Sequence, residues 1–141
     1  MRIRATRGRG GLWHVVAYVF IVGLETEGDV RLIVDTGCGT TTLSARDAQR
    51  LGIDYTSLPR AAEPGIGIAG IPIPCRQLPP SVFVFTDDRE DTHAMSLDSM
   101  ELFEPVVDED GRIIDTPSLL GLDMLNRFSI HFDDNGLYLE C

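Results

Sequence analysis

A chain of 141 residues carrying 22 acidic against 12 basic residues, with a formal charge of -10, is long enough to bury its own core and short for an enzyme of two lobes. The acidic balance excludes a nucleic-acid interface, which needs clustered Lys or Arg, and every basic residue here is Arg. Three cysteines, Cys38, Cys75 and Cys141, without C-x-x-C or H-x-x-x-H spacing, give neither a disulfide framework nor a zinc site, so reduced structural thiols are expected.

In chain order, residues 1–10 contain Arg2, Arg4, Arg7 and Arg9 and read as a basic, flexible arm; residues 11–141 read as one domain. The apolar run at 12–22 could be mistaken for a signal peptide or anchor. It is too short to span a bilayer, includes His14, lacks a small-residue cleavage site and is rich in β-branched and aromatic residues, so it reads as a strand. Residues 13–24 are then a strand, 25–29 a polar turn with Gly28, and 30–34 the returning strand.

That strand ends on Leu32-Ile33-Val34 and runs directly into Asp35-Thr36-Gly37. A carboxylate at the end of an apolar strand must be hydrogen-bonded, paired or part-time neutral, because desolvation disfavours its charged form. Gly37 allows a sharp turn beside it, and the hydroxyls of Thr36 and Thr40 to Thr42 are local donors. Taken alone, the tripeptide is also compatible with an ordinary turn. Residues 44–52 read as a short helix with Ser44 as N-cap, Gly52 as its left-handed end, and Arg46 and Asp47 on a solvated face.

From Pro64, glycine or small residues alternate with Ile up to Pro74. The stretch lacks the Lys and the Ser or Thr of a phosphate-binding loop, so a hairpin is expected, with glycines permitting close approach to a ligand. Residues 81–85 form a strand. The segment 87–115 holds half of the acids against Arg89 and Arg112 and reads as an exposed, partly mobile insertion, in which 94–103 form a strand pair or a short helix. No calcium-loop pattern occurs there, so no metal is expected. Beyond it come a strand at 118–120, Gly121, a short helix over 123–128 capped by Asp123, and two strands flanking the hairpin signal Asn135-Gly136.

Two of these stretches carry a resemblance. Leu32-Ile33-Val34-Asp35-Thr36-Gly37-Cys38 with Thr42-Leu43-Ser44 and Ala48-Gln49-Arg50-Leu51-Gly52-Ile53, and downstream Leu119-Leu120-Gly121-Leu122-Asp123-Met124-Leu125 with Phe128 and Ile130, are similar to the two signatures of retropepsin-like aspartic proteases, especially prokaryotic ones. The resemblance implies an all-β fold, a closed β-barrel or sandwich with one or two short helices, acting as a homodimer. It implies an aspartic endopeptidase of acid-protease type that hydrolyses peptide bonds of a polypeptide substrate without a cofactor. Asp35, Thr36 and Gly37 would be the catalytic residues. Gly39 and Thr40, which stand where several retroviral members carry an acid gripping the peptide backbone, would contact substrate together with Leu120 and Gly121. The hairpin residues Gly65, Ile66, Gly67, Ile68, Ala69 and Gly70 would be the flap that closes over the peptide. In many relatives the chain termini form the inter-subunit sheet, a role open to the last strand here.

One Asp-Thr-Gly per chain has no internal partner: Asp115-Thr116 is followed by Pro117 and Asp98-Ser99 by Met100. Two-carboxylate chemistry must recruit a second chain. The alternative from another class is a non-catalytic dimeric peptide-binding module; half of a two-lobed pepsin-like chain fails on length. The expected setting is the cytoplasm, without membrane insertion of this chain, or the soluble part of a longer anchored protein.

Overall fold

The computed structural model describes residues 1–66 and 72–141. The basic start of the chain is not a free arm. Its Arg-Ile-Arg run forms β1 (Arg2–Arg4) and the next residues form β2 (Thr6–Arg7), and the alternation explains why: Ile3 turns inward and is buried, while Arg4 stays at the surface. β2 pairs with β3 (Trp13–Ile21), Arg7 lying opposite Trp13. In β3 the side chains of Val15, Ala17, Val19 and Ile21 are buried and those of Val16, Tyr18 and Phe20 exposed, a period of two. The strand pairs along its length with β4 (Thr26–Val34), from His14 opposite Ile33 to Ile21 opposite Thr26. The turn comes earlier than the polar residues suggest, at 22–25. Gly23 (φ 89°) and Glu25 (φ 51°) supply the left-handed backbone that reverses the chain there.

Next come β5 (Thr42–Leu43) and the helix α1 (Ala45–Arg50), capped by Ser44, whose hydroxyl accepts the Asp47 N–H at 3.1 Å, and followed by Gly52 at φ 77°. Asp47 is not merely a solvated side chain. Its carboxylate accepts the Ser118 hydroxyl at 2.6 Å, tying helix to sheet, whereas Arg46 is exposed and paired with Asp115 at 2.7 Å. The strands β6 (Gly65–Ile66) and β7 (Pro72–Ile73) pair antiparallel, and β8 (Cys75–Leu78) and β9 (Ser81–Thr86) follow.

The acid-rich segment departs most from expectation. Its first half supplies β10 (Thr92–Leu97), paired with β9 throughout, and β11 (Met100–Phe103), which lies between β5 and β8; Leu97, Met100 and Leu102 are buried. The strand reading of residues 94–103 holds, with each strand on a different neighbour, but acids at the turns made the segment look like an exposed, partly mobile insertion. Asp87, for instance, accepts the N–H groups of Arg89 at 2.9 Å and Asp91 at 3.0 Å and lies 2.8 Å from His93 Nε2, and the His93 contact, ahead of those N–H groups, holds its carboxyl below the ordinary range. The second half is peripheral: β12 (Val106–Val107) and β13 (Ile113–Ile114) form a small hairpin with Val107 and Ile113 exposed.

The chain ends with β14 (Ser118–Leu120), α2 (Leu122–Leu125) and the hairpin of β15 (Ser129–Asp133) and β16 (Gly136–Glu140), which turns at Gly136 with φ 108°. The main sheet runs β10-β9-β3-β4-β14-β5-β11-β8, with β2 added on β3, and curls as a half-barrel around Leu32, Leu43, Phe83, Phe85, Leu102 and Leu120. A second sheet, β1-β16-β15, adds Ile3 and Leu139 to the same core. The expected all-β architecture with two short helices is therefore present. Within the chain β16 has a neighbour on each side, so the last strand has no free edge for an inter-subunit sheet. Among the described residues no helix is long and apolar enough to cross a membrane.

If β1 is structural, Ile3→Ala should lower the unfolding free energy by about 2–4 kcal/mol in urea denaturation. A loss under about 0.5 kcal/mol would return residues 1–10 to the status of an arm.

Candidate active site

Asp35 follows the last residue of β4, and its backbone N–H donates to the Leu120 carbonyl at 3.1 Å, extending the parallel pairing of β4 with β14. Strand alternation then sets its direction. Leu32 faces the core, Ile33 the opposite side, and Asp35 continues the side of Ile33. Its Oδ1 accepts the Gly37 N–H at 2.9 Å and its carbonyl accepts the Cys38 N–H at 3.3 Å, so the turn is closed on the carboxylate itself. A Cβ at Gly37 would stand 3.2 Å from Asp35 Oδ1, which is why glycine suits this position. The carboxylate is half-buried and Thr36 and Gly37 are exposed.

The downstream signature holds this turn from behind. At Gly121 a Cβ would come within 2.6 Å of the Thr40 carbonyl carbon, 2.8 Å of Thr41 N and 2.9 Å of Cys38 O, so the two backbones meet where no side chain fits. The Leu122 N–H donates to Cys38 O at 2.8 Å and the Asp123 N–H to Gly39 O at 3.1 Å. Asp123 does not cap its own helix. Its carboxylate accepts the Thr41 N–H at 3.0 Å and the Thr41 hydroxyl at 2.6 Å, while the Thr41 oxygen accepts the Gly121 N–H at 3.1 Å. Ser118 adds a second clasp, accepting the Ser44 N–H at 2.8 Å and donating to Asp47. Thus Asp35, Thr36, Gly37, Gly39, Thr40 and Gly121 lie on one interlocked double loop.

Some expected roles move. The Leu120 side chain is fully buried in the core and offers this face no contact; by alternation Leu119 stands on Asp35's side instead. The Thr40–Thr42 hydroxyls do not serve Asp35: Thr41 binds Asp123, and the Thr42 hydroxyl donates to the Thr40 carbonyl at 2.9 Å. Cys38 Sγ donates to that same carbonyl at 3.0 Å, and burial raises its pKa; Cys75, buried beneath Gly65, is pushed up to about 11 by desolvation. Both are protonated, unreactive thiols at neutral pH. Gly65 and Ile66 lie in β6, opposite Ile73 and Pro72, which makes the expected hairpin at its base; Gly67, Ile68, Ala69 and Gly70 lie outside the described residues. Among the described residues no group of three or more His, Cys, Asp or Glu could hold a metal ion. A groove of about 690 Å³ between α1 and the β12–β13 hairpin is lined by Ala48, Ile53, Tyr55, Ile113 and Ile114, and Asp35 is not part of it.

The sequence missed Asp123, Thr41, Ser118 and Asp47 as positioning residues. The first two are far apart in the chain, and an acid at the start of a helix looks like a cap until the partner is seen.

No protein-family model matches the sequence, and no curated protein matches it. Among solved structures the chain is similar to a retropepsin-like aspartic protease from Rickettsia conorii, with 22% identity and a TM-score of 0.58 over 99% of this chain and 88% of that one. A weaker likeness, TM-score 0.42 and 15% identity over 85% and 81% of the two chains, is to the retroviral protease-like domain of Ddi1 from Leishmania major. The first likeness establishes a retropepsin-like fold.

The double loop predicts two outcomes. Asp123→Ala, which strips three hydrogen bonds from Thr41 and leaves its N–H without an acceptor, should cost about 2 kcal/mol in urea unfolding. Gly121→Ala, opposed by backbone on every side, should cost as much or more, about 3 kcal/mol. Near-neutral results for both would mean that the signatures merely pass one another.

Proposed function

From a retropepsin-like fold that carries one Asp-Thr-Gly turn per chain, we propose that this protein is an aspartic endopeptidase whose site is completed by a second copy of itself. The observation that carries the reading is the placement of Asp35, whose half-buried carboxylate accepts the Gly37 N–H and whose backbone N–H donates to the Leu120 carbonyl, on the sheet face opposite the core. A structural acid needs a partner within its own chain, and none of the described basic residues forms an ion pair with it. Exposed apolar side chains support the reading as well: Ile130 and Phe132, opposite Leu139 and Leu137, are 40% and 69% exposed, where a second chain could cover them.

When two Asp35 carboxyls meet across a two-fold axis about 3 Å apart, they cannot both ionise, and one keeps a proton. The ionised member takes a proton from a bound water as the water oxygen bonds to the scissile carbonyl carbon. The protonated member donates to the carbonyl oxygen as negative charge develops there. Collapse of the tetrahedral species breaks the C–N bond, and the departing nitrogen takes a proton from the dyad. Thr36, exposed at the turn, hydrogen-bonds across the two-fold axis beneath the carboxyls, and the Gly37 carbonyl accepts a substrate N–H. Gly39 and Thr40 contribute backbone: their carbonyls already accept the Asp123 N–H and the Cys38 and Thr42 side chains, so these two residues shape the wall of the cleft. Gly65 and Ile66, paired with Ile73 and Pro72, stand at the base of the hairpin that this reading assigns as the flap over the bound peptide.

An unfolded protein incubated at pH 4 to 7 should be cleaved at internal bonds, the rate should follow a bell-shaped pH dependence, and an aspartic-protease inhibitor should block it. Asp35→Asn should lower kcat/KM by at least about a hundredfold with little change in stability. Cleavage that survives the inhibitor, or keeps rising into alkaline pH, would point to another nucleophile. Peptide binding without cleavage by the wild type would make this a binding module.

A further inference from the structure

The face of the sheet that bears Asp35 can be read residue by residue from the strand register. Ile33 is opposite Leu119, Leu119 opposite Thr42, Thr42 opposite Glu101, and two residues on from Glu101, Phe103 is opposite Cys75. Paired residues share a face, so these side chains line one surface, with the core residues Leu32, Leu120, Leu43 and Leu102 on the other. The β6–β7 hairpin lies against this surface: a Cβ at Gly65 would stand 3.0 Å from Phe103 Cε1 and 3.2 Å from Cys75 Sγ, and Ile73 packs with Cys75 and Phe103. Between the Asp35 turn and the hairpin this face therefore carries isoleucine, leucine, threonine, cysteine, phenylalanine and, opposite Glu101, Gln77. Glu101 is the one charged residue among them.

Glu101 has no cation of its own. No Arg or His among the described residues forms an ion pair with it. Arg76, on the adjoining β8, opposes Leu102 on the other face and is held there by Glu104 and by the Leu58 carbonyl at 2.8 Å. The cross-strand neighbour of Glu101 on β8 is Gln77, and the hydrogen bond of the nearby Cys75 thiol goes to the Ile73 carbonyl at 3.4 Å. Burial, first of all, raises the Glu101 pKa, the Cys75 thiol opposes this weakly and the field of Asp123 adds to it. Folding gains nothing from a half-buried carboxylate in such a setting, whereas a ligand cation would relieve it.

We propose that Glu101, half-buried beside the fully buried Thr42 and Cys75, is a specificity-determining residue, which selects a peptide carrying a Lys or Arg side chain at the position that reaches Glu101 from the Asp35 side of the sheet. The inference rests on the peptidase reading for its geometry, but its chemistry is that of the Glu101 carboxylate and does not require turnover. An acidic side chain at that position meets like charge and is rejected; an apolar one of equal length leaves Glu101 uncompensated.

The test takes one peptide that the wild type cleaves and replaces each residue flanking the scissile bond in turn by Lys, norleucine or Glu. At one position Lys should exceed norleucine by about tenfold in kcat/KM, with Glu poorest. Glu101→Gln, nearly isosteric, should flatten that position alone, and Glu101→Arg should reverse it in favour of Glu. A profile unchanged by Glu101→Gln overturns the proposal. Binding of the same series to Asp35→Asn protein, followed by fluorescence anisotropy, separates the two readings: absence of wild-type cleavage sinks the peptidase, whereas absence of a Glu101-dependent Lys preference in binding sinks this inference even if the peptidase stands.

Discussion

Everything near Asp35 depends on the contact of Gly121 with the backbone of residues 38–41. Because Gly121 has no Cβ, β14 can run beside β4, turn under the Asp35 loop and send its next two N–H groups into the carbonyls of Cys38 and Gly39. The Asp123 carboxylate then closes on Thr41. These contacts make one rigid object of two segments distant in sequence, and they leave Asp35 no freedom except that of its own side chain. A general acid or base positioned in this way needs little reorganisation when it reacts, which is where such sites gain most of their rate.

The sheet that carries the loop works on both faces. Leu32, Leu43, Leu102 and Leu120 fill the core, and their neighbours Ile33, Thr42, Glu101 and Leu119 line the opposite surface below the β6–β7 hairpin. A one-residue slip of β14 would exchange Leu119 with Leu120 and bury the wrong side chain, so packing of the core and composition of the face that bears Asp35 are set by the same register.

How much of this could be read beforehand follows from the range of each interaction. The hairpin ending at Asp35, the Ser44 cap, Gly52 and the Asn135-Gly136 turn are local, and their residues announce them. The resemblance of the two signatures added the fold to which they belong. What stayed hidden was non-local: Ile3 in an Arg-rich start was an isolated apolar residue until β16 stood beside it, and residues 94–103, read as a strand pair or a short helix, gave no sign that β10 and β11 join opposite ends of the main sheet. Asp123 and Asp47 looked like helix-end and surface acids because their partners, Thr41 and Ser118, lie on other elements. Leu120 was favoured over Leu119 because a signature does not say which way a strand faces.

The central claim is that two subunits each donate half of the chemistry, and mixing subunits tests it directly. Asp35→Asn chains should still dimerise, so with equal amounts of mutant and wild type, random pairing and exchange confirmed by labelled subunits, about half of the wild-type chains enter dead heterodimers. Activity should fall by about half, and towards zero as mutant is added in excess. Activity that instead tracks the wild-type concentration alone would place the whole catalytic unit in a single chain and contradict the account.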